Sequence, residues 1–168
     1  MKQQERRTKP QFMKYLLSFF LLGLYGIQAT AQGYTLEGNE IHFEQELTFK
    51  KGSAELNTAD IAVLKAVKDF MDEKKYVSLL RIEGNVQGSG NDQQLSEKRA
   101  MAAAQWLVQA GIGCERLLPV GFGSTKPADK HTRVSFQMAS LRGKLMGGMP
   151  ADGGGRIAGD LCKIKTSR

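Results

Sequence analysis

The chain has 168 residues, 41% of them hydrophobic and 24% charged, a make-up ordinary for one globular domain. Its formal charge of +7 suggests nucleic acid, but without residues 1–31 the balance falls to +3, and residues 32–138 hold 13 basic against 14 acidic side chains. With no basic stripe and no interleaved aromatics in that stretch, nucleic-acid binding is excluded as a reading.

The elements follow in chain order. Lys2, Arg6, Arg7, Lys9 and Lys14 precede an apolar run of 13 residues, Tyr15 to Ile27, that leads to Ala29, Thr30 and Ala31. Basic, apolar and small-residue regions in that order predict a secretory signal over residues 1–31, removed to leave Gln32 first. A retained anchor is the second reading, and the run is short for it, since a membrane-spanning helix needs roughly 20 residues. No cysteine follows the cleavage point to carry a lipid.

Ile41, Phe43, Gln45, Leu47 and Phe49 alternate with polar neighbours, which predicts a strand with one buried face. Asn57 or Thr58 caps a helix in which Ile61, Leu64, Val67 and Met71 recur at helical spacing. Tyr76 to Glu83 reads as a largely buried strand, and Gly84 to Gly90 as a loop. A second helix, with Asp92 as its cap, carries Leu95, Ala102, Trp106 and Leu107 and stops at Gly111. Strands over Leu117 to Phe122 and Arg133 to Met138 complete the domain, residues 32–138. The expected fold class is α+β, a β-α-β-α-β-β two-layer sandwich with both helices on one face of a small mixed sheet. The tail, residues 139–168, contains MGGMPADGGGRIAG and carries a net charge of +4. Its glycines make ordering entropically unfavourable, so it is expected to be mostly disordered, with Leu161 to Lys165 docking if Cys162 is bonded.

Candidates for chemistry are few. Cys114, Cys162, His42 and His131 are the possible nucleophiles and bases, and none sits in a nucleophile signature or at metal-ligand spacing. No catalysis, metal or cofactor is expected. In an oxidising compartment Cys114 and Cys162 can pair; free thiols or an intermolecular bridge are the other readings. Phe43, Phe49, Trp106 and Phe122 each fall on an apolar face and read as core.

Six motifs carry a resemblance: FKKGSAEL (Phe49 to Leu56), LRIEG (Leu80 to Gly84), LSEKRA (Leu95 to Ala100), LVQAGI (Leu107 to Ile112), GFGSTKP (Gly121 to Pro127) and TRVSF (Thr132 to Phe136). In this order, over about ninety residues, the chain resembles the OmpA-like C-terminal domain family. The resemblance implies a periplasmic module, associated with the outer membrane of a Gram-negative cell, that grips peptidoglycan without covalent chemistry. It also implies how: an aspartate after the second strand and the arginine of the LSxxRA helix hold the ammonium and carboxylate of diaminopimelate. A guanidinium suits the carboxylate because it can form two parallel charge-assisted bonds.

Arg99 matches the family arginine, although an arginine early in a helix beside Glu97 and Lys98 is ordinarily a solvated charge. The aspartate is replaced: where the family has glycine, histidine, threonine, aspartate, this chain has Gly84, Asn85, Val86 and Gln87. Loss of the ionic partner of a desolvated cation costs about 2–5 kcal/mol. The loop after Gln87 is shortened, with Asp92 in place of an asparagine, so Asp92 either caps the helix or supplies the missing carboxylate. Arg133 keeps the second arginine of an Asn-Arg-Arg-Val signature whose first two positions are His131 and Thr132 here. The expected ligand set is therefore Arg99, Gln87, Asn85, Asp92 and Arg133. The alternative is a module that has lost peptidoglycan and serves as a structural or protein-interaction part of an envelope complex.

Overall fold

A computed structural model describes residues 33–125, 133–147 and 153–163. The expected signal segment lies outside them, as do His131 and Thr132. Among the described residues no helix is long and apolar enough to cross a membrane.

The chain opens with a hairpin, β1 (Tyr34–Glu37) and β2 (Glu40–Phe43). Gly38 turns it with φ +58°, a conformation glycine adopts without penalty. Helix α1 (Thr58–Glu73) leads to β3 (Val77–Asn85), α2 (Asp92–Gln109) and β4 (Leu117–Gly123). Then come β5 (Val134–Leu141), β6 (Lys144–Leu145) and β7 (Arg156–Ile157). The sheet runs β1-β2-β5-β3-β4-β7, with β6 also on β5. Its centre, β3, pairs in parallel with β4 and antiparallel with β5, so the sheet is mixed. Both helices contribute to a single core, in which Leu64, Val67, Leu80, Ile82 and Leu107 are fully buried.

Helix α1 begins at a reciprocal cap. Asn57 Oδ1 accepts from the Ala59 and Asp60 amides at 2.8 and 3.1 Å, and Asp60 Oδ2 accepts from the Asn57 amide at 2.9 Å. The same cap corrects the expected strand from Ile41 to Phe49. Asp60 Oδ1 accepts from the Thr48 amide at 2.8 Å, and the Thr48 carbonyl accepts from Asn57 Nδ2 at 2.9 Å. The Thr48 amide and carbonyl, which a sheet ladder would need, are thus held by the helix terminus. The chain leaves the sheet after Phe43, and Leu47 keeps only an isolated bridge to Val134.

Helix α2 lies close on the sheet because its buried stripe is small: Ser96, Ala100, Ala103 and Ala104, not the expected Leu95, Ala102 and Trp106, with Leu107 common to both. The strands reciprocate with glycine. A Cβ on Gly84 would sit 2.1 Å from the Ser96 carbonyl oxygen, and one on Gly121 would sit 2.5 Å from Glu97 Cγ. Ser96 Oγ joins the layers, accepting from the Gly123 amide at 2.9 Å and donating to the Gln93 carbonyl at 2.8 Å.

The tail requires the second correction. Strand β5 continues to Leu141, β6 folds back on it, and β7 pairs antiparallel with β4 through Val120 and Gly121. The end of the tail follows the expectation for a bonded Cys162: Leu161 enters the core and Cys162 is bonded to Cys114. The glycines read as a source of disorder are what allow the contact: a Cβ on Gly155 would lie 2.7 Å from the Phe122 ring, and one on Gly159 would lie 2.8 Å from Met101 Cε. Phe122 is buried, as expected, but apart from the main cluster, with its ring against Gly153 and Gly155 of the tail.

Candidate functional site

The site grows from the β3–α2 connection. After Asn85 the chain turns through Gly88 and Gly90, at φ +77° and +80°, and enters α2. Asp92 is the first helical residue and not its cap. Its carboxylate reaches back to accept from the Gly88 amide at 3.0 Å, the Ser89 amide at 2.7 Å and Ser89 Oγ at 2.5 Å. These bonds, the Ser89 hydroxyl foremost, hold its pKa below the usual carboxylate value. The capping position belongs to Asn91, whose side chain makes no capping bond. Asp92 therefore shapes the loop from within.

Two turns into α2, Arg99 is 2% exposed. Its Nε donates to the Ser53 carbonyl at 2.8 Å and Nη2 to the Lys50 carbonyl at 3.1 Å, while its guanidinium lies 5.0 Å from the centre of the Phe49 ring. Burial lowers its pKa, and attraction from Asp60 opposes that shift. The arginine is thus built into the wall that it faces. Nη1 makes no hydrogen bond to the described residues, and Arg99 lines an open cleft of about 420 Å³. The Phe49–Gly52 turn forms one wall, and Val86, Gln87, Gly88 and Ser89 form the other. Through Gly52, Ser89 and Leu95 it adjoins a second space of about 540 Å³, bordered by Glu55, Asn91, Gln94 and Lys98.

Of the five expected ligand residues, the structure brings Arg99 and Gln87 together in this cleft. The other three do not line it. Asn85 is buried in β3, its backbone amide donating to the Arg133 carbonyl at 2.9 Å and its Oδ1 without a partner among the described residues. Arg133 turns its guanidinium to Glu40 at 3.1 Å and Glu46 at 3.8 Å, beside a separate recess of about 50 Å³. Sequence reasoning missed the opposite wall. Phe49 packs against the core as expected but also lines the cleft, and its apolar spacing carries no sign of the Lys50 and Ser53 carbonyls or of Asp60. An Asn-x-x-Asp capping pattern at Asn57 was the available signal for Asp60.

A mixed sheet with two helices, and an open cleft where the helix after the central strand meets the turn before the first helix, define an α+β domain. The chain belongs to the OmpA family, whose match spans residues 48–137. Among solved structures it is similar to the OmpA-like domain of FopA1 from Francisella tularensis subsp. tularensis SCHU S4, at TM-score 0.51 and 24% identity over 61% of this chain and 75% of that one. An outer membrane protein from Borrelia burgdorferi B31 matches at TM-score 0.51 and 22% identity, over 62% of this chain and 94% of that one. A MotB-like protein from Desulfovibrio vulgaris matches at TM-score 0.51 and 21% identity, over 74% and 85%. At these identities the likenesses establish the fold.

Proposed function

We propose that the protein is a cell-envelope component of the periplasm that binds peptidoglycan non-covalently, holding a diaminopimelate-containing stem peptide in the cleft between the Phe49–Gly52 turn and the Val86–Ser89 loop. One observation carries this reading: the family arginine, Arg99, lines an open cleft with Gln87 at the position of the family aspartate. Family membership supports the peptidoglycan ligand, and a guanidinium half-committed to fixed carbonyls is held ready for a carboxylate with little rotamer freedom left to lose. The reading requires no cofactor and no catalytic group.

A second reading, a structural or protein-interaction module without peptidoglycan binding, is favoured by the absence of a carboxylate among the described residues lining the Arg99 cleft. Sedimentation with isolated sacculi separates the two. Because Gln87 is exposed, Gln87→Trp fills the cleft without disturbing the core. Pelleting of the unsubstituted chain that is lost in Gln87→Trp supports the ligand site. A chain that stays in the supernatant assigns the module to protein partners of the envelope.

A further inference from the structure

The charge of the cleft departs from what a zwitterion needs. Across its two connected halves the lining side chains include Lys51, Lys98 and Arg99, with Glu55 the single acid among the described residues, at the far end of the groove. Two other acids lie near and neither is available. Asp60 is fully buried, with both oxygens taken by the Thr48 and Asn57 amides. Asp92 is turned into its own loop by three hydrogen bonds. An ammonium entering beside Arg99 would exchange water for lysine and arginine neighbours with no anion opposite, an unfavourable transfer for a cation. A carboxylate meets the reverse conditions.

Gln87, on the wall where an acid would answer that ammonium, offers a neutral amide, which donates and accepts as a peptide group does. We infer that the cleft takes a carboxylate whose neighbouring amine is acylated, as it is in a cross-linked diaminopimelate residue, in preference to the free zwitterionic end. The inference rests on the peptidoglycan reading above and assigns Gln87 as its specificity determinant. Acylation removes the positive charge and leaves the carboxylate for Arg99, with an amide N–H and C=O beside the Gln87 amide.

The test uses the full chain, purified as the cell processes it, and three soluble stem-peptide fragments: one with the diaminopimelate amine free, one with it acetylated, and one acetylated and also amidated at the adjacent carboxyl. Titration calorimetry is expected to give about tenfold tighter binding for the acetylated fragment than for the free amine, and no binding for the amidated one. Gln87→Asp is expected to reverse the preference toward the free amine. Equal or tighter binding of the free amine by the unsubstituted chain overturns the inference, while the peptidoglycan reading stands if sacculi still sediment the protein. Failure to bind any fragment overturns the inference too, and failure to sediment with sacculi overturns both.

Discussion

Arg99 Nε donates to the Ser53 carbonyl at 2.8 Å, so the side chain that lines the cleft also closes the turn opposite it. Arg99→Ala removes this bond, the bond to Lys50 and the contact with Phe49. It is expected to destabilise the fold by about 3 kcal/mol, read as a lower urea midpoint at unchanged slope. Arg99→Lys, which keeps the charge but not the forked donors, is expected to lose less. Loss of ligand binding in Arg99→Ala therefore reports on the turn as well as on the cation, which is why Gln87 is the cleaner probe.

Asp60 acts on the same turn from behind. Its two oxygens hold the amides of Thr48 and Asn57, and it is fully buried. Asp60→Ala leaves both donors without that acceptor and is expected to destabilise by about 2 kcal/mol or more, with hydrogen exchange rising first at Thr48 and in the first turn of α1.

The close approach of α2 to the sheet is tested at Gly84. Its added Cβ would meet the Ser96 carbonyl oxygen at 2.1 Å, a backbone atom that cannot swing aside. Gly84→Ala is expected to destabilise by about 3 kcal/mol or to prevent folding, checked by circular dichroism and denaturant titration. Gly33→Ala, where nothing lies within 4 Å of the added atom, is the matched control and is expected to be nearly neutral.

The Cys114–Cys162 bond spans a sequence separation of 48 residues. On chain-entropy grounds a loop of that length stabilises by about 4 kcal/mol. The double substitution Cys114→Ser/Cys162→Ser, or addition of reductant, is expected to lower Tm by more than ten degrees, since each kcal/mol shifts a domain of this size by roughly 3–6 °C.

The loop before α2 is expected to be acid-sensitive. Asp92 has a depressed pKa in the folded chain, so its contribution is fully present above the unfolded value of about 3.9 and is lost as pH falls through the lower folded value. The Gly88 and Ser89 amide resonances are expected to shift together below about pH 4 and to be insensitive in Asp92→Asn.

Legibility followed the periodicities that local sequence controls. Leu64, Val67 and Met71 on α1 fell where their spacing placed them, and the largely buried strand expected over Tyr76 to Glu83 is β3. Arg99 and Gln87 were found through motif order. The first strand misled because alternation records which side chains face inward and is silent on whether the backbone has a partner; the Thr48 amide and carbonyl had been claimed by Asp60 and Asn57. The hairpin before it has its sequence signal in the Gly38-Asn39 pair. In the tail, glycine content predicts disorder on entropic grounds, but at Gly155 the absent side chain is what admits Phe122.

Strand β7 is only two residues long, yet it lies along β4, which would otherwise end the sheet. An uncovered strand offers its row of amides and carbonyls to any extended chain it meets, including another copy of itself. Two residues of pairing, with the nearby disulfide holding the tail, give the molecule a guard against edge-to-edge self-association, and a chain ending before Gly153 is expected to aggregate under conditions in which the intact chain remains monodisperse.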